Sequence, residues 1–316
     1  MKKGIISVII LITYFSCQDK VDEKPTVSAK SNNPYILVLG NAQDAGYPQI
    51  ACQKECCNRV SLNPELKRFV SSIAVIDPIS NESWIFDATP DFTAQTKLLS
   101  KYVKDKPLPD GIFLTHAHIG HYTGLMFLGR EALGAIKMPV FAMPKMQQFL
   151  TENGPWSQLI ELENIDIRPL KQDSIIVLNS RISVMPIQVP HRDEFSETVG
   201  FIIHNQHKKA LYIPDIDKWE KWNRKITDYI KEVDLAIVDA TFFKEGEINR
   251  DMSEVPHPFV EESMTLFENL SEGDKRKVFF IHFNHTNPLL IEESDAQKLV
   301  QNKGFNIAKQ GLVISF

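Results

Sequence analysis

Residues 111–125 read GIFLTHAHIGHYTGL, an apolar run of strand length that leads directly into three histidines. Side chains of an extended chain alternate between its two faces, so His116 and His118 point to the same side. His121 follows Gly120, a residue that permits a tight turn. Three imidazoles can therefore converge just beyond the end of one strand, and this segment determines the fold and function that we expect.

Three imidazoles in this arrangement are suited to hold a metal ion. Neutral imidazole is a good ligand for zinc, iron and similar ions, and three such ligands leave coordination positions open for water. A bound ion lowers the pKa of that water towards neutrality and thereby supplies a hydroxide nucleophile. A single histidine here would be better explained as a helix cap or a core hydrogen-bond partner. The chain, however, places three of its nine histidines within six residues, which favours a metal site.

The rest of the chain alternates short apolar runs with longer stretches of helical periodicity. The apolar runs predict strands over 35–39, 72–76, 83–86, 111–115, 140–143, 182–189, 199–204, 210–213, 235–238 and 278–283. The i, i+3, i+4 spacing predicts helices over 91–102, 121–134, 145–153, 217–233, 258–270 and 294–303. Many strands with interspersed helices favour an α/β fold in which two packed mixed β-sheets are flanked by helices.

The run His116-Ala-His118-Ile-Gly-His121 resembles the metallo-β-lactamase superfamily, whose signature after a strand is His-x-His-x-Asp-His. The resemblance implies an αββα sandwich in which His116 and His118 hold a first metal and His121 a second. The later ligands of that superfamily have candidates that each follow an apolar strand: His191, Asp215 and His282. An aspartate such as Asp215 can bridge two ions through a hard oxygen donor.

The sequence departs from this signature at Gly120, where the superfamily has an aspartate. Glycine has no side chain that could coordinate a metal. The resemblance therefore implies a second site that keeps His121, Asp215 and His282 but lacks one carboxylate. We expect weaker second-site binding or occupancy by a single metal as the consequence.

The segment VLGNAQDAGYPQIACQKECC, residues 38–57, resembles two branches of that superfamily. One is the family of coenzyme PQQ synthesis protein B, and the other is the phosphoribosyl cyclic phosphodiesterase family. In the phosphodiesterases, three cysteines and a histidine three residues beyond the last catalytic histidine hold a structural zinc. The resemblance thus implies a closed tetrahedral site formed by Cys52, Cys56, Cys57 and His285. The alternative is that the three thiols are simply buried or incidental.

The N-terminus has the outline of an export signal. Lys2 and Lys3 precede the apolar stretch 4–15, which is too short for a spanning helix and ends at Ser16-Cys17. The small residue before Cys17 resembles the lipobox of bacterial lipoproteins. We therefore predict a signal peptide over 1–17 with lipidation at Cys17, a flexible tether over 18–33 and the metallo-β-lactamase-like domain over 34–316, on an exported, membrane-anchored protein. An uncleaved buried N-terminal helix is the alternative.

The charge of the chain favours a small-molecule partner. The formal net charge is −5 and no long Lys/Arg run is present, which argues against a nucleic-acid binder. Between the predicted strand ending near Asp239 and the following helix, Arg250 could clamp a carboxylate or phosphate, and His257 could donate a proton. Asp44 could also face the site. Turn or capping roles explain each of these residues equally well.

These observations lead to three functional hypotheses. The first is a metallo-hydrolase in which an ion held by His116, His118, His191 and Asp215 directs hydroxide at a phosphodiester or another ester-like anionic substrate. The second is an iron-dependent oxidative enzyme related to PQQ biosynthesis, and the third a lipoprotein that only binds a ligand. Zinc is the expected metal, with one or two catalytic ions and one structural ion, and iron or manganese also suits the catalytic donors. The sequence predicts no oligomeric state.

Overall fold

A computed structural model describes residues 32–316. The predicted signal peptide and the predicted lipidation site, Cys17, lie outside these residues, as does all of the predicted tether except its last two positions. Within the described part, no helix is both long and apolar enough to cross a bilayer.

Two seven-stranded sheets form the centre of the domain. The first sheet has the order β14-β1-β2-β3-β4-β5-β6, with antiparallel pairing from β14 to β3 and parallel pairing from β3 to β6. Its strands are β1 (Tyr35–Gly40), β2 (Ser72–Asp77), β3 (Glu82–Phe86), β4 (Gly111–Phe113), β5 (Met138–Ala142), β6 (Ile165–Pro169) and β14 (Val313–Ser315).

The second sheet has the order β13-β12-β11-β10-β9-β8-β7. Pairing is antiparallel from β7 to β10 and parallel from β10 to β13. Its strands are β7 (Ile176–Val177), β8 (Ser183–Gln188), β9 (Val199–His204), β10 (Lys209–Ile213), β11 (Leu235–Asp239), β12 (Val278–Ile281) and β13 (Asn306–Ile307). Both sheets are mixed, as predicted.

Helices cover the outer face of each sheet. The α-helices are α1 (Glu55–Leu62), α2 (Phe92–Leu99), α3 (Ile119–Tyr122), α4 (Pro144–Glu152), α5 (Trp156–Glu161), α6 (Ile226–Glu232), α7 (Val260–Leu266), α8 (Glu272–Lys275) and α9 (Asp295–Asn302). Short 3₁₀ turns span Pro64–Leu66, Thr123–Leu128, Trp219–Lys221 and Pro288–Leu290. Helices α2, α4 and α5 pack on the first sheet, and α6, α7 and α9 on the second. The predicted αββα sandwich is therefore confirmed.

The apolar core between the sheets explains why β1 is a continuous hydrophobic run. Ile36 and Val38 face the second sheet, whereas Leu37 and Leu39 face the helices of the first, because successive side chains alternate. Three aromatic rings join the sheets, with ring centroids 4.9–5.5 Å apart: Phe86, Phe113 and Phe201. Burial on both faces requires apolar residues at every position.

Two of the predicted helices are wrong as continuous elements. The stretch 121–134 leaves the α conformation at Thr123, because the amide of Gly124 donates to the carbonyl of Ala88 rather than to the preceding turn. The stretch 217–233 is interrupted before Ile226, where Trp222 donates its indole N–H to the Gln188 carbonyl. Tertiary hydrogen bonds therefore override the helical periodicity at both places.

Strand prediction failed mainly at the sheet margins. The sequence does not predict four strands: β6, β7, β13 and β14. Two of these have only two residues each and β14 has three, which is too short for a periodic pattern. In β6, by contrast, Ile165 and Ile167 alternate with the polar Asp166 and Arg168, a strand pattern that the prediction overlooked. The predicted strand over 278–283 ends instead at Ile281, since His282 adopts a left-handed conformation with φ of 68°.

The inter-sheet core makes a direct prediction about stability. Replacing Ile73, which is fully buried in it, by Ala should lower the free energy of unfolding by about 2–5 kcal/mol through lost burial and a residual cavity. The same change at Ile136, which is 87% exposed, should alter it by less than about 0.5 kcal/mol. Urea titration monitored by circular dichroism measures both. Equal effects would place Ile73 outside the core.

Candidate metal centre

All candidate ligands and their closest partners lie at one edge of the sandwich. Strands β1, β3 and β4 run in the same direction, and so do β8, β10, β11 and β12. Their carboxyl ends therefore meet at the same end of the domain. The residues that follow these ends are Asp44, Asp87, His116, His118, His121, His191, Asp215 and His282, with Asp239 the last residue of β11. Parallel strand order thus gathers residues that are distant in sequence.

The first cluster consists of His116, His118, His191 and Asp215, as the sequence predicts. His116 Nε2 and His191 Nε2 each lie 3.3 Å from Asp215 Oδ2. His118 Nδ1 lies 2.8 Å from His116 Nε2 and 3.2 Å from His191 Nε2. Four donors each about 2.0–2.1 Å from a tetrahedral ion are separated by about 3.3 Å. The four atoms therefore have the spacing of a metal-ligand set.

The second cluster consists of His121, Asp215, His282 and Asp44, a residue from the loop after β1. Asp44 Oδ1 lies 3.1 Å from His121 Nε2 and 3.4 Å from His282 Nε2. Asp215 Oδ2, already part of the first cluster, is 3.9 Å from His121 Nε2. One carboxylate oxygen therefore serves both clusters, which is the arrangement of a bridging ligand.

The imidazole nitrogens that face away from the clusters have partners of their own. Three of them contact side chains on neighbouring strand ends: His116 Nδ1 with Thr115 Oγ1 at 2.9 Å, His121 Nδ1 with Asp87 Oδ2 at 2.7 Å, and His282 Nδ1 with Thr241 Oγ1 at 2.9 Å. The other two are His191 Nδ1 with Asp217 Oδ1 at 3.2 Å, and His118 Nε2 with Glu194 Oε2 at 3.0 Å. Such outer partners fix the ring orientation of metal-binding histidines.

The polar groups of the clusters are incompletely satisfied by protein alone. His282 Nε2 is buried and makes no hydrogen bond to any described residue. Burial and the nearby His121 hold the pKa of His116 well below its usual range. Burial also acts to lower the pKa of His191, but Asp215 and Asp217 outweigh it and raise that pKa to about 9. A divalent cation would take the place of the proton on His191 and satisfy His282 Nε2, so the donor set fits a metal.

Two residues of the centre hold the left-handed backbone conformation that favours glycine. His282 has φ of 68°, and Asp87, which contacts His121, has φ of 73°. A non-glycine residue in this region costs of the order of 1–3 kcal/mol, so packing around the site must impose the conformation. In both cases the turn ends a strand and directs the side chain to the ligand cluster.

The predicted structural site is also assembled. One donor atom each from Cys52, Cys56, Cys57 and His285 lies within 4.8 Å of the others, and the three cysteines are free thiols. Burial, followed by a hydrogen bond with Cys52, raises the pKa of the Cys57 thiol to about 12. A bound cation would favour the thiolate form of Cys57, and the four donors are those of a closed zinc site.

His257 lies beside the ligands and is held by two carboxylates. Its Nδ1 is 2.8 Å from Asp239 Oδ2 and 3.1 Å from Asp215 Oδ1. Its ring centroid lies 5.6 Å from that of His191 and 5.8 Å from that of His282. Burial acts to lower the pKa of His257, but Asp239 and Asp215 outweigh it and set the pKa well above the ordinary value. The structure thus places His257 where the sequence predicts a proton donor could act.

Arg192, rather than Arg250, contacts a ligand of the clusters. Arg192 Nη2 lies 3.3 Å from both ring nitrogens of His118, and the arginine side chain is 53% exposed. Arg250 is exposed, and its side chain makes no hydrogen bond or ion pair with a described residue. The clamp role of Arg250 stays a prediction. Arg192 was missed although it directly follows His191, a predicted ligand, and that adjacency was the available signal.

Comparison with known proteins identifies the superfamily to which the chain belongs. The sequence matches the beta-lactamase superfamily domain over residues 84–283, which is more than half of the chain. The protein therefore belongs to the beta-lactamase superfamily, as its histidine motif predicts.

Within that superfamily the chain is similar to coenzyme PQQ synthesis protein B and, in fold, to other members. The chain is 28% identical to coenzyme PQQ synthesis protein B of Methylococcus capsulatus, over 88% of this chain and 99% of the relative. Zn(2+)-bound PqqB from Methylobacterium extorquens has a TM-score of 0.76 at 20% identity, covering 89% and 100% of the two chains. A diphosphatase from the PhnP family has a TM-score of 0.66 at 21% identity, covering 90% and 97%. The predicted similarity to coenzyme PQQ synthesis protein B is therefore confirmed.

Removing one ligand should reduce metal binding without affecting the fold. His191→Ala deletes a donor of the first cluster, so its ion should bind more weakly by at least the roughly 10–100-fold that loss of an outer partner costs. His207→Ala, on an exposed turn, is the matched control. Zinc titration with a competing chelator measures both variants. Unchanged affinity in His191→Ala would exclude His191 from the ligand set.

Proposed function

We propose that the protein is a metal-dependent hydrolase that acts on a phosphodiester or another ester-like bond of a small anionic molecule. The observation that carries this proposal is the pair of ligand clusters that share Asp215 Oδ2. When bound there, divalent ions act as Lewis acids and bring a water molecule to the pKa at which it is a hydroxide near neutral pH. Zinc is the metal that we propose, since the donors are imidazole and carboxylate, and iron or manganese also suits them.

In this proposal Asp215 has two roles, one for each of its oxygens. Oδ2 faces both clusters, whereas Oδ1 faces His257 at 3.1 Å. The carboxylate therefore links the ligand set to the residue that we assign to proton transfer. Because Asp215 is 2% exposed, water does not screen either interaction.

His257 is the proposed general acid. Its Nδ1 is engaged by Asp239, so Nε2 is the atom left to deliver a proton to the departing oxygen. Asp239 is itself fixed by the amide and hydroxyl of Thr241, which keeps the imidazole in one orientation. This pairing of a histidine with a buried carboxylate is a common way to hold a catalytic imidazole in one tautomer.

Arg192 is the proposed anion-binding residue. Its guanidinium lies at the solvent side of the first cluster, within 3.3 Å of His118, and its ion pair with Glu194 is long at 3.7 Å. A phosphate oxygen could therefore replace Glu194 as its partner at little cost. Arg250, in the loop that precedes α7, is the alternative clamp that the sequence predicts.

The relatives support the two enzymatic hypotheses to different degrees. The structural similarity to a diphosphatase supports hydrolysis of a phosphate compound. The similarity to coenzyme PQQ synthesis protein B along nearly the whole chain supports a role related to PQQ synthesis, for which our second candidate is an iron-dependent oxidative reaction. The same histidine and aspartate donors suit Fe(II), so metal identity separates the two. For either reaction we propose an exported protein that Cys17 anchors to a membrane.

The proposal is tested by loading the purified full chain with Zn(II), Mn(II) or Fe(II) and supplying a bis-aryl phosphodiester. We expect turnover with zinc in the absence of oxygen. Turnover of a phenolic substrate that needs both Fe(II) and oxygen, with no phosphodiester cleavage, would support the oxidative candidate instead. A chain that binds its metals but transforms neither compound would support the third hypothesis, a ligand-binding lipoprotein.

The role of His257 predicts a specific kinetic defect. His257→Ala should lower kcat for an alkyl phosphodiester by about 10²–10⁴-fold, because the leaving group then departs without a proton. Zinc content should stay that of the wild type. His207→Ala serves as the control, and kcat with matched metal content is the measurement. A proportional loss of zinc and activity would make His257 a metal ligand rather than an acid.

The two candidate clamps can be separated by substitution. Losing a hydrogen bond to a charged group costs about 1.5–3 kcal/mol, so Arg192→Ala should raise KM roughly 10–100-fold. Arg250→Ala should leave KM within about twofold, because its exposed side chain has no contact with the clusters. Steady-state kinetics with one phosphodiester measures both. The reverse ranking would restore Arg250 as the clamp.

A further inference from the structure

Gly120 is where the sequence departs from the superfamily signature, and the structure shows what occupies the space. A Cβ atom built on Gly120 would lie 2.3 Å from Asp44 Oδ1 and 2.6 Å from Asp44 Cα. Real Cβ atoms essentially never make contacts this short. A side chain at position 120 and the loop that carries Asp44 therefore exclude each other.

We propose that Asp44 is the carboxylate ligand of the second cluster, in the place of the aspartate that Gly120 replaces. Its Oδ1 completes a set of four donors with His121 Nε2, His282 Nε2 and Asp215 Oδ2. His282 Nε2, buried and without a hydrogen bond to a described residue, is directed at the space that an ion would fill. Weak or single-metal occupancy was expected because Gly120 supplies no carboxylate to this cluster. In this proposal Asp44 supplies it.

Backbone hydrogen bonds hold Asp44 beside His282. The amide of Gln43 donates to the carbonyl of Phe283, and the amide of Phe283 donates to the carbonyl of Asn41, both at 2.8 Å. The residues on either side of the metal ligands are thereby paired as in a sheet. These hydrogen bonds fix the position of the segment that carries Asp44, so its carboxylate is held beside His282.

The cysteine site lies on the same two segments. Eight residues beyond Asp44 the chain reaches Cys52, and three residues beyond His282 it reaches His285. Tyr47, which lies between Asp44 and Cys52 in the sequence, donates its hydroxyl to the carbonyl of Cys56 at 2.6 Å. An ion bound by the three cysteines and His285 would therefore clamp both segments at a second point. We infer that filling this site strengthens ion binding at the second cluster through Asp44.

The inference rests on the proposed metal centre but not on hydrolysis, so metal binding alone tests it. The full-length chain is stripped of metal and titrated with Zn(II) against a chelator, and bound zinc is counted by elemental analysis. We expect three ions in the wild type. A wild-type chain that binds three ions but cleaves no ester would leave this inference intact while removing the proposed function.

Asp44→Asn is the decisive variant, because it keeps the shape of the side chain and removes its charge. We expect one of the three ions to bind at least 10–100-fold more weakly, and the other two to be unchanged. Asp228→Asn, on the exposed face of α6, is the matched control. Wild-type affinity for all three ions in Asp44→Asn would overturn the assignment.

Gly120→Ala tests the same idea without touching a proposed donor. The added methyl group should displace Asp44 and reproduce the loss of that one ion, whereas Gly273→Ala, where a Cβ meets only ordinary contact at 3.6 Å, should have no effect. Thermal unfolding of the metal-free variants checks that they fold. A folded Gly120→Ala chain with wild-type zinc affinity would contradict the proposal.

Cys57→Ser tests the coupling between the sites. This variant should lose the ion of the cysteine site and, in addition, bind the second-cluster ion about tenfold more weakly, the lower end of the range for outer partners. Cobalt substitution separates the sites, because only the cysteine site gives thiolate charge-transfer absorption. A Cys57→Ser chain that loses the cysteine-site ion alone would disprove the coupling while leaving the Asp44 assignment untouched.

Discussion

The architecture of this centre depends on one carboxylate oxygen, Asp215 Oδ2, which lies within 4 Å of imidazole nitrogens from both ligand clusters. A buried carboxylate surrounded by histidines is stable only if positive charge is supplied, either by protons or by a metal. The two sheets bring this about, since their strands end at the same edge and each contributes ligands. Packing of the two sheets is therefore what brings the ligands together.

Residue spacing within a short segment predicts individual strands and the relative direction of neighbouring side chains. Strand β9 is predicted to the residue, and the alternation of His116 and His118 predicts their common side. The structure brings His191 and Asp215 into the first cluster with those two residues and His282 into the second, an outcome that rested on resemblance because no local pattern connects them. Marginal strands of two residues, such as β7, carry too few side chains for any periodicity to be read.

The residues that sequence reasoning underestimated are those whose role depends on tertiary packing. Asp44, Asp87 and Asp239 each follow or end a strand, as many structural aspartates do, and only the convergence of strand ends puts them beside the histidines. The glycine at position 120 was the one feature of the sequence that could have indicated Asp44 as a ligand. The absence of its side chain was read as a missing ligand, whereas the structure shows space that another element fills.

The most direct test of a two-ion centre bridged by Asp215 is anomalous diffraction, at the zinc absorption edge, from crystals of the zinc-loaded protein. We expect two peaks roughly 3.5–4 Å apart, the usual spacing of paired metals, on either side of Asp215 Oδ2. A third peak should lie among Cys52, Cys56, Cys57 and His285. Fully loaded crystals with no peak at Asp215, or with one ion that leaves His121 and His282 unligated, would contradict the two-ion centre.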